Sequence, residues 1–288
     1  MAKGKQIDHA SKFTQTLEAS AQLPGVRIDR SAYLRSSLKR YCTDEQIECA
    51  VATTPAAANV PADVISAIAN TAIKYETSKA TALSVAAGLP GGWAIAGTVP
   101  ADLAQYFGHV LRIAQKLAYI YSWPDLFGED GDGIDDATEG ILTLFVGVMF
   151  GVVAAQGGVA KIAALMSGQV VKKLPQKALT KGVLYPVVKK VAAYLGVRMT
   201  KQIYAGIAAK AVPVAGAVFS GGLTYATFRP MAYRLDKHLA SLALTKPGHQ
   251  VPTPTPRTTS GTEQGPTGRT PNDTEMASAS RSQTQTAE

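Results

Sequence analysis

The chain has few cysteines, few charged residues, and no acidic residue over one third of its length. Its 288 residues include two cysteines and 17% charged residues. Two cysteines are too few for a disulfide framework or for a zinc cluster built on thiolates. Cys42 and Cys49 are seven residues apart, and on one helix this spacing is about 10 Å, which a disulfide does not bridge. We therefore expect both thiols to be reduced and cytosolic.

Motifs of known catalytic centres are also missing. The chain contains no H-E-x-x-H zinc motif, no G-x-S-x-G nucleophile motif and no G-x-x-x-x-G-K-[ST] phosphate loop. His109 has Asp102 and Tyr106 seven and three residues before it. That spacing is compatible with a polar enzyme site, although a hydrogen-bonded, partly buried histidine is the favoured interpretation. We predict no catalytic residue and no cofactor.

The helical signals, in contrast, are plentiful, whereas alternation typical of strands is scarce. After Pro100, apolar residues recur at intervals of four and three residues up to Tyr121. Pro61 and Pro100 are each followed by Ala-Asp and fit a first helical turn, with Asn59 and Thr98 as candidate caps. We predict an all-α fold, a compact glycine-rich bundle of long apolar helices. These helices are placed near 60–80, 80–97, 100–123, 137–168, 183–210 and 212–243.

Two segments of different character make up the chain. Residues 1–245 are predicted to form the helical domain. Residues 246–288 contain six prolines and no aromatic residue. Such a segment does not bury enough apolar surface to offset its ordering entropy, and we predict a disordered tail. Residues 1–12 lack the apolar core of a secretory signal.

Charge is distributed very unevenly. Residues 1–139 carry 12 basic and 16 acidic residues, whereas residues 140–235 carry 12 basic residues and no acidic one. A basic and apolar segment suits an anionic membrane surface better than a nucleic acid, for which no motif is present. Two interpretations of this block stay open: a basic amphipathic helix that lies on lipid, and an ordinary helix whose charged face is solvated. The predicted lipid contacts are Lys172, Lys173, Lys189, Lys190 and Lys201.

Three long runs carry no charge: residues 80–101, 140–160 and 211–228. Each is close to the length that spans the hydrocarbon core of a bilayer, and 140–160 is the best candidate. Glycines or prolines interrupt the other two, so 80–101 is more typical of a broken helix or a helical hairpin. A helix that is apolar all round because it is buried in a soluble bundle is the alternative.

Small residues are spaced for close contact between helices. Two G-x-x-x-G patterns occur, one in the first uncharged run and one in the second, and glycine at such positions lets helix backbones approach closely. The predicted membrane or packing residues are Gly88, Pro90, Gly91, Gly92, Pro100, Asp102, Gly147, Gly151, Pro213 and Gly216.

An acidic loop at 128–139 partly fits a twelve-residue calcium loop. The candidate ligands are Asp130, Asp132, Asp136 and Glu139. The first position of the loop is glycine rather than aspartate, so we favour the alternative, an acidic turn that stabilises the start of the next helix.

Two stretches resemble the EcsC family. Residues 82–103, ALSVAAGLPGGWAIAGTVPADL, are followed by LRIA at 111–114 and YIY at 119–121. The second stretch, KAVPVAGAV at 210–218 with SGG at 220–222 and FR at 228–229, is similar to the later Pro-x-x-Gly segment of that family. The resemblance covers about residues 60–240, and Tyr121-Ser122-Trp123 stands where the family shows Tyr-Gly. It implies a bacterial protein with a role linked to a transporter or membrane, and it supplies no catalytic residue.

The leading functional expectation is a non-enzymatic protein on the cytoplasmic side of the bacterial inner membrane, or integral to it. It would be accessory to transport or envelope maintenance. The expected partner is anionic lipid. A membrane protein complex and a second copy of this chain are further candidate partners, and no nucleic acid is expected. Two alternatives stay open: a soluble helical enzyme with a polar site near Asp102 and His109, and a pore-forming or membrane-perturbing effector.

Overall fold

A computed structural model of the chain describes residues 8–88, 95–127, 134–167, 174–175, 179, 182, 184–209 and 215–247. All regular secondary structure in these residues is helical, which confirms the all-α prediction. The helices are α1 (His9–Ala21), α2 (Arg30–Leu38), α3 (Asp44–Ala52), α4 (Ala62–Gly88), α5 (Ile95–Ile120), α6 (Asp136–Met149), α7 (Val153–Met166), α8 (Tyr185–Ala209) and α9 (Ala215–Ala240), followed by a short 3-10 turn at Ala243–Thr245.

Polar side chains determine where the first helices begin. Asp8 caps α1 by accepting a hydrogen bond from the backbone N–H of Ala10 at 3.1 Å. Asp29 accepts one from Ala32 at 2.6 Å at the start of α2. Thr43 forms a capping box at the start of α3. Each cap satisfies an N–H group that has no partner inside its helix.

Helix α6 lies at the centre of the bundle. Twelve of its fourteen residues are buried, and it contacts α1, α5, α7, α8 and α9. The ring of Phe145 packs edge-on against that of Trp123, with ring centroids 4.9 Å apart. An all-round apolar helix is thus covered by protein on every side, as the alternative interpretation of run 140–160 required.

The structure divides this run into two helices, where the sequence predicted one helix over 137–168. Gly151 has φ +81°, and its N–H donates to the carbonyl of Val148 at 2.9 Å. The N–H of Val152 donates to the carbonyl of Gly147, also at 2.9 Å. This pair of bonds is a Schellman motif, which ends a helix at a left-handed glycine. Among the described residues, none of the helices combines the length with the apolar character that a bilayer span requires.

Gly147 and Gly151, the two glycines of the second G-x-x-x-G pattern, therefore have different structural roles. A Cβ on Gly147 would lie 2.6 Å from Cγ1 of Val191 and 2.7 Å from Cβ of Ala155, so three helices meet closely at this residue. Gly151 terminates α6, and a Cβ there would meet nothing within 4 Å.

Two other helix boundaries differ from expectation. Helix α4 continues past residue 80 to Gly88, and α5 begins at Ile95, which places Pro100 inside α5 rather than in its first turn. Asn59 has φ 54° and precedes α4 by three residues, so it is not the cap of that helix. Thr98 lies inside α5 and is not a cap either. Gly216 lies in the first turn of α9. Pro90, Gly91, Gly92 and Pro213 lie outside the described residues.

Helix α8 buries its apolar face in the protein. Val188, Val191 and Leu195 are buried, and α8 packs on α1, α6 and α7. Lys189 and Lys190 are exposed on the opposite side. These buried side chains are therefore not available to lipid, and the solvent side of α8 carries Lys189 and Lys190 together with the exposed Tyr194 and Val197. Lys201 lies in α8, whereas Lys172 and Lys173 are outside the described residues.

The break after α6 generates a stability prediction. Alanine is strained at positive φ, so Gly151→Ala should lower the free energy of unfolding by about 1 kcal/mol. Gly157 is the matched control, because it lies inside α7 and a Cβ there would meet nothing within 4 Å. Gly157→Ala should raise the free energy of unfolding by about 0.5–1 kcal/mol through higher helix propensity.

Urea denaturation of both variants measures these changes. A Gly151→Ala variant as stable as the wild type would mean that α6 and α7 form one continuous helix.

Candidate functional site

A single carboxylate is buried between α4 and α5. The inward-facing residues of α4 recur at helical spacing and include Ile68, Ala72, Ile73 and Ala80. Glu76 occupies the same stripe, and its side chain is 0% exposed. A charged group is rarely buried unless it is paired, so this position requires cations from the neighbouring helix.

Helix α5 supplies two cations and one histidine from one face. His109, Arg112 and Lys116 follow one another at intervals of three and four residues, which aligns them along the helix. Nδ1 of His109 lies 2.9 Å from Oε2 of Glu76, and Nε of Arg112 lies 3.2 Å from Oε1. Nζ of Lys116 donates to Oε1 at 2.6 Å. We call these four residues the Glu76 cluster.

The cations keep Glu76 ionised. Burial raises the pKa of Glu76, but hydrogen bonds from His109 and Lys116 and the charges of Lys116 and Arg112 outweigh burial and lower the pKa to about 2. An ionised carboxylate only accepts hydrogen bonds, so Nδ1 of His109 carries the hydrogen in this contact. A carboxylate with such a low pKa is a poor general base at neutral pH.

The partner of His109 was not anticipated. The sequence placed His109 near Asp102 on the same helix, whereas the structure pairs it with Glu76, 33 residues earlier. Asp102 lies in α5, but its side chain is outside what the structure describes. The sequence did contain one signal for this partner. Glu76 lies in the apolar stripe of α4, and the helical periodicity of that stripe indicates that its residues face inward.

A second feature arises where α4 packs against α9. Val85 touches Gly221, Oγ1 of Thr224 donates to Oγ of Ser84 at 2.8 Å, and Tyr233 donates to Asn70 at 2.9 Å. These pairs show that the two helices run in opposite directions. The end of α4 and the start of α9, parts of two of the three uncharged runs, therefore lie side by side.

We call residues 80–88 of α4 and 215–228 of α9 the apolar end. Neither segment contains a charged residue. Leu83, Val85 and Leu223 are 41%, 36% and 49% exposed. These three exposed side chains lie on two helices that pack against each other, and exposed apolar surface is one mark of an interaction site.

Tyrosines and cations lie at the base of the apolar end, and one of them, Tyr225, belongs to its α9 segment. Nζ of Lys79 lies 4.9 Å from the ring centroid of Tyr75. Cζ of Arg229 lies 5.9 Å from the ring of Tyr225 and 5.7 Å from that of Tyr233, and Nη1 donates to the Tyr225 hydroxyl at 2.9 Å. Along the antiparallel helices α4 and α9, Lys79 and Arg229 lie at about the same level. That level is between the Ser84–Thr224 contact and the Asn70–Tyr233 contact. We call these five residues the basic-aromatic collar.

The described part of the acidic loop serves the start of α6. Asp135 caps this helix by accepting from the N–H of Thr138 at 2.6 Å, and Asp136 lies in its first turn. Glu139 accepts a hydrogen bond from Thr14 at 2.8 Å. Asp130 and Asp132 lie outside the described residues, and the described ones contain no group of three or more His, Cys, Asp or Glu arranged for a metal.

Comparison with known proteins adds no relative. No protein-family model matches the chain, and no curated protein or solved structure is similar to it at a significant level. The resemblance to the EcsC family therefore stays an expectation that rests on the motifs in residues 82–121 and 210–229.

The Glu76 cluster predicts a specific pH dependence. Replacing Glu76 by Gln leaves Arg112 and Lys116 without their carboxylate and His109 without its charged acceptor, and we expect a loss of about 3 kcal/mol in the free energy of unfolding at pH 7. Because the pKa of Glu76 is lowered in the folded protein, its contribution is complete above the unfolded pKa of 4.5 and disappears as the pH falls towards 2. Wild type and Glu76→Gln should therefore converge in acid.

Urea denaturation between pH 2 and 7 measures this convergence. The control is Glu48→Gln, which removes an exposed ion pair with Arg35 and should change stability little. Equal stability of Glu76→Gln and wild type at pH 7 would contradict the pairing described here.

Proposed function

We propose that the protein is a non-enzymatic helical protein that docks on an anionic membrane surface by inserting its apolar end into one leaflet. The observation that carries this proposal is the basic-aromatic collar beside a charge-free apolar end on which Leu83, Val85 and Leu223 are exposed. Tyrosine, lysine and arginine side chains at such a border are typical of the water–lipid interface, where the ring or the stem meets hydrocarbon and the polar tip meets water.

The length of the apolar end supports insertion into a single leaflet. At 1.5 Å per residue, residues 80–88 of α4 extend about 13 Å and residues 215–228 of α9 about 21 Å. The hydrocarbon part of one leaflet is about 15 Å thick, so the α4 segment fits within one leaflet and the α9 segment does so when it is tilted. Insertion to the depth of Lys79 and Arg229 would place both cations among the headgroups, with no helix crossing the bilayer.

The charge of the rest of the molecule favours an anionic surface. Residues 140–235 contain 12 basic residues and no acidic one. Exposed cations on α8 include Lys189, Lys190 and Arg198, and the last donates to the hydroxyl of Tyr194 at 3.1 Å. Each basic residue near an anionic leaflet contributes roughly 1 kcal/mol to binding. The cytoplasmic leaflet of the bacterial inner membrane, with a role accessory to transport or envelope maintenance, fits this charge and the EcsC-like motifs.

Binding to vesicles tests the proposal. We expect the wild type to float with vesicles of phosphatidylglycerol and phosphatidylethanolamine. The double variant Leu83→Asp, Leu223→Asp should bind at least about 10-fold more weakly, because each carboxylate would enter the hydrocarbon at a cost of about 2.5 kcal/mol or more. Both side chains are exposed, so the fold should persist, as circular dichroism would verify.

Leu165→Asp is the matched control, because Leu165 is 55% exposed on α7, outside the apolar end. This variant should bind vesicles like the wild type. Vesicle binding that is equally strong in the double variant would refute insertion of the apolar end. Sedimentation without lipid completes the test: a wild-type dimer that the double variant dissociates, without vesicle binding, would assign the apolar end to self-association instead.

A further inference from the structure

We propose that Lys79, Arg112 and Lys116 form a binding site for a phosphomonoester dianion. If the proposed function is correct, this group is the headgroup of a membrane lipid, and that part of the inference rests on it. A soluble phosphomonoester is the other source of the same chemistry.

The first argument is a surplus of positive charge. Glu76 is the only carboxylate among the described residues within ion-pair distance of Arg112 or Lys116, and no described carboxylate pairs with Lys79. Counted without His109, these three cationic side chains therefore have one carboxylate, Glu76, to balance them. An uncompensated surplus of two charges between packed helices attracts an anion of matching charge.

The second argument is the arrangement of the two lysines around one ring. Nζ of Lys116 and Nζ of Lys79 each lie 4.9 Å from the ring centroid of Tyr75. The two ammonium groups are thus no farther apart than twice that distance. Because the side chain of Lys79 is exposed, it is free to approach an anion that Lys116 already contacts.

The remaining walls of the site are aromatic and cationic. The ring of Tyr33, on α2, lies 5.8 Å from Nζ of Lys116. Arg112 uses Nε for Glu76, and its terminal Nη groups pair with no described carboxylate. Guanidinium Nη groups bind phosphate oxygens in a bidentate manner, and lysine binds them as a point charge.

The chemistry favours a phosphomonoester over a phosphodiester or a carboxylate. A phosphomonoester carries about −1.5 to −2 charges at pH 7 and presents three terminal oxygens. Three oxygens match three cations from two helices, and the charge matches the surplus. A phosphodiester or a carboxylate has one charge and two free oxygens, and it would leave one cation without a partner.

The position of the site agrees with a headgroup. Lys79 belongs to the basic-aromatic collar, one residue before the apolar end begins. A molecule inserted to the collar would hold Lys79 at the depth of lipid phosphates, and the ring of Tyr75 lies 4.9 Å from Nζ of both Lys79 and Lys116.

The test uses the full chain and two variants of equal charge. Lys79→Gln removes a cation of the site, whereas Lys74→Gln removes an exposed cation one residue before Tyr75 that contacts neither Tyr75 nor Glu76 in the described structure. The lipid arm compares phosphatidylcholine vesicles that contain phosphatidic acid with vesicles of equal surface charge that contain phosphatidylglycerol. The soluble arm measures the melting temperature with glycerol 3-phosphate against chloride of equal ionic strength.

We expect the wild type to bind phosphatidic acid vesicles about 10-fold more tightly than the charge-matched vesicles, and Lys79→Gln to lose this preference. Lys74→Gln should weaken binding to both vesicles equally and keep the preference. A thermal shift with glycerol 3-phosphate that Lys79→Gln abolishes, without vesicle binding, would also support the site, assign it to a soluble ligand and refute the membrane function.

Vesicle binding without preference and without a thermal shift would overturn the phosphomonoester site and leave the membrane proposal intact. Equal effects of Lys79→Gln and Lys74→Gln on both kinds of vesicle would overturn it as well, because they would assign the role of Lys79 to net charge.

Discussion

The burial of one carboxylate constrains the arrangement of α4, α5 and α9. Glu76 has no contact with water, so its charge is tolerated only while cations of α5 surround it. This requirement holds α4 against α5 at one register. Helix α9 then packs on both, through Gly221 on α4 and through Tyr106 of α5, whose ring lies 6.1 Å from that of Phe228. The apolar end is an extension of helices that the ion cluster has already positioned.

The uncharged runs differ in burial although their sequences are similar in character. Run 140–160 forms α6 and the start of α7, and five helices contact α6, two of which, α7 and α8, approach it closely at Gly147. Parts of runs 80–101 and 211–228 pair with each other near Gly221 and leave Leu83 and Leu223 exposed. The difference lies in the number of neighbouring helices and not in hydropathy. Apolar length by itself therefore indicated a membrane span where the structure has a buried helix.

Local signals in the sequence were sufficient for much of the fold. The spacing of apolar residues predicted the helical class and the approximate positions of most helices, because each helix must bury one face. The end of α6 at Gly151 was not predicted, since a glycine in an apolar run suits both close packing and a left-handed helix end. The Glu76 cluster was missed because its contacts join residues 33 to 40 positions apart, and spacing on one helix does not reveal contacts across two.

The sequence by itself determined the helical class, the lack of known catalytic motifs and the block of 12 basic residues without an acidic one. These follow from composition and periodicity, which need no knowledge of the fold. Only the tertiary structure decided that α6 is interior and that His109 forms a hydrogen bond with Glu76. It also decided that Lys79 and Arg229 lie at about the same level along α4 and α9, beside the apolar end. Each of these depends on which helices become neighbours, and that choice is made by packing of the whole chain.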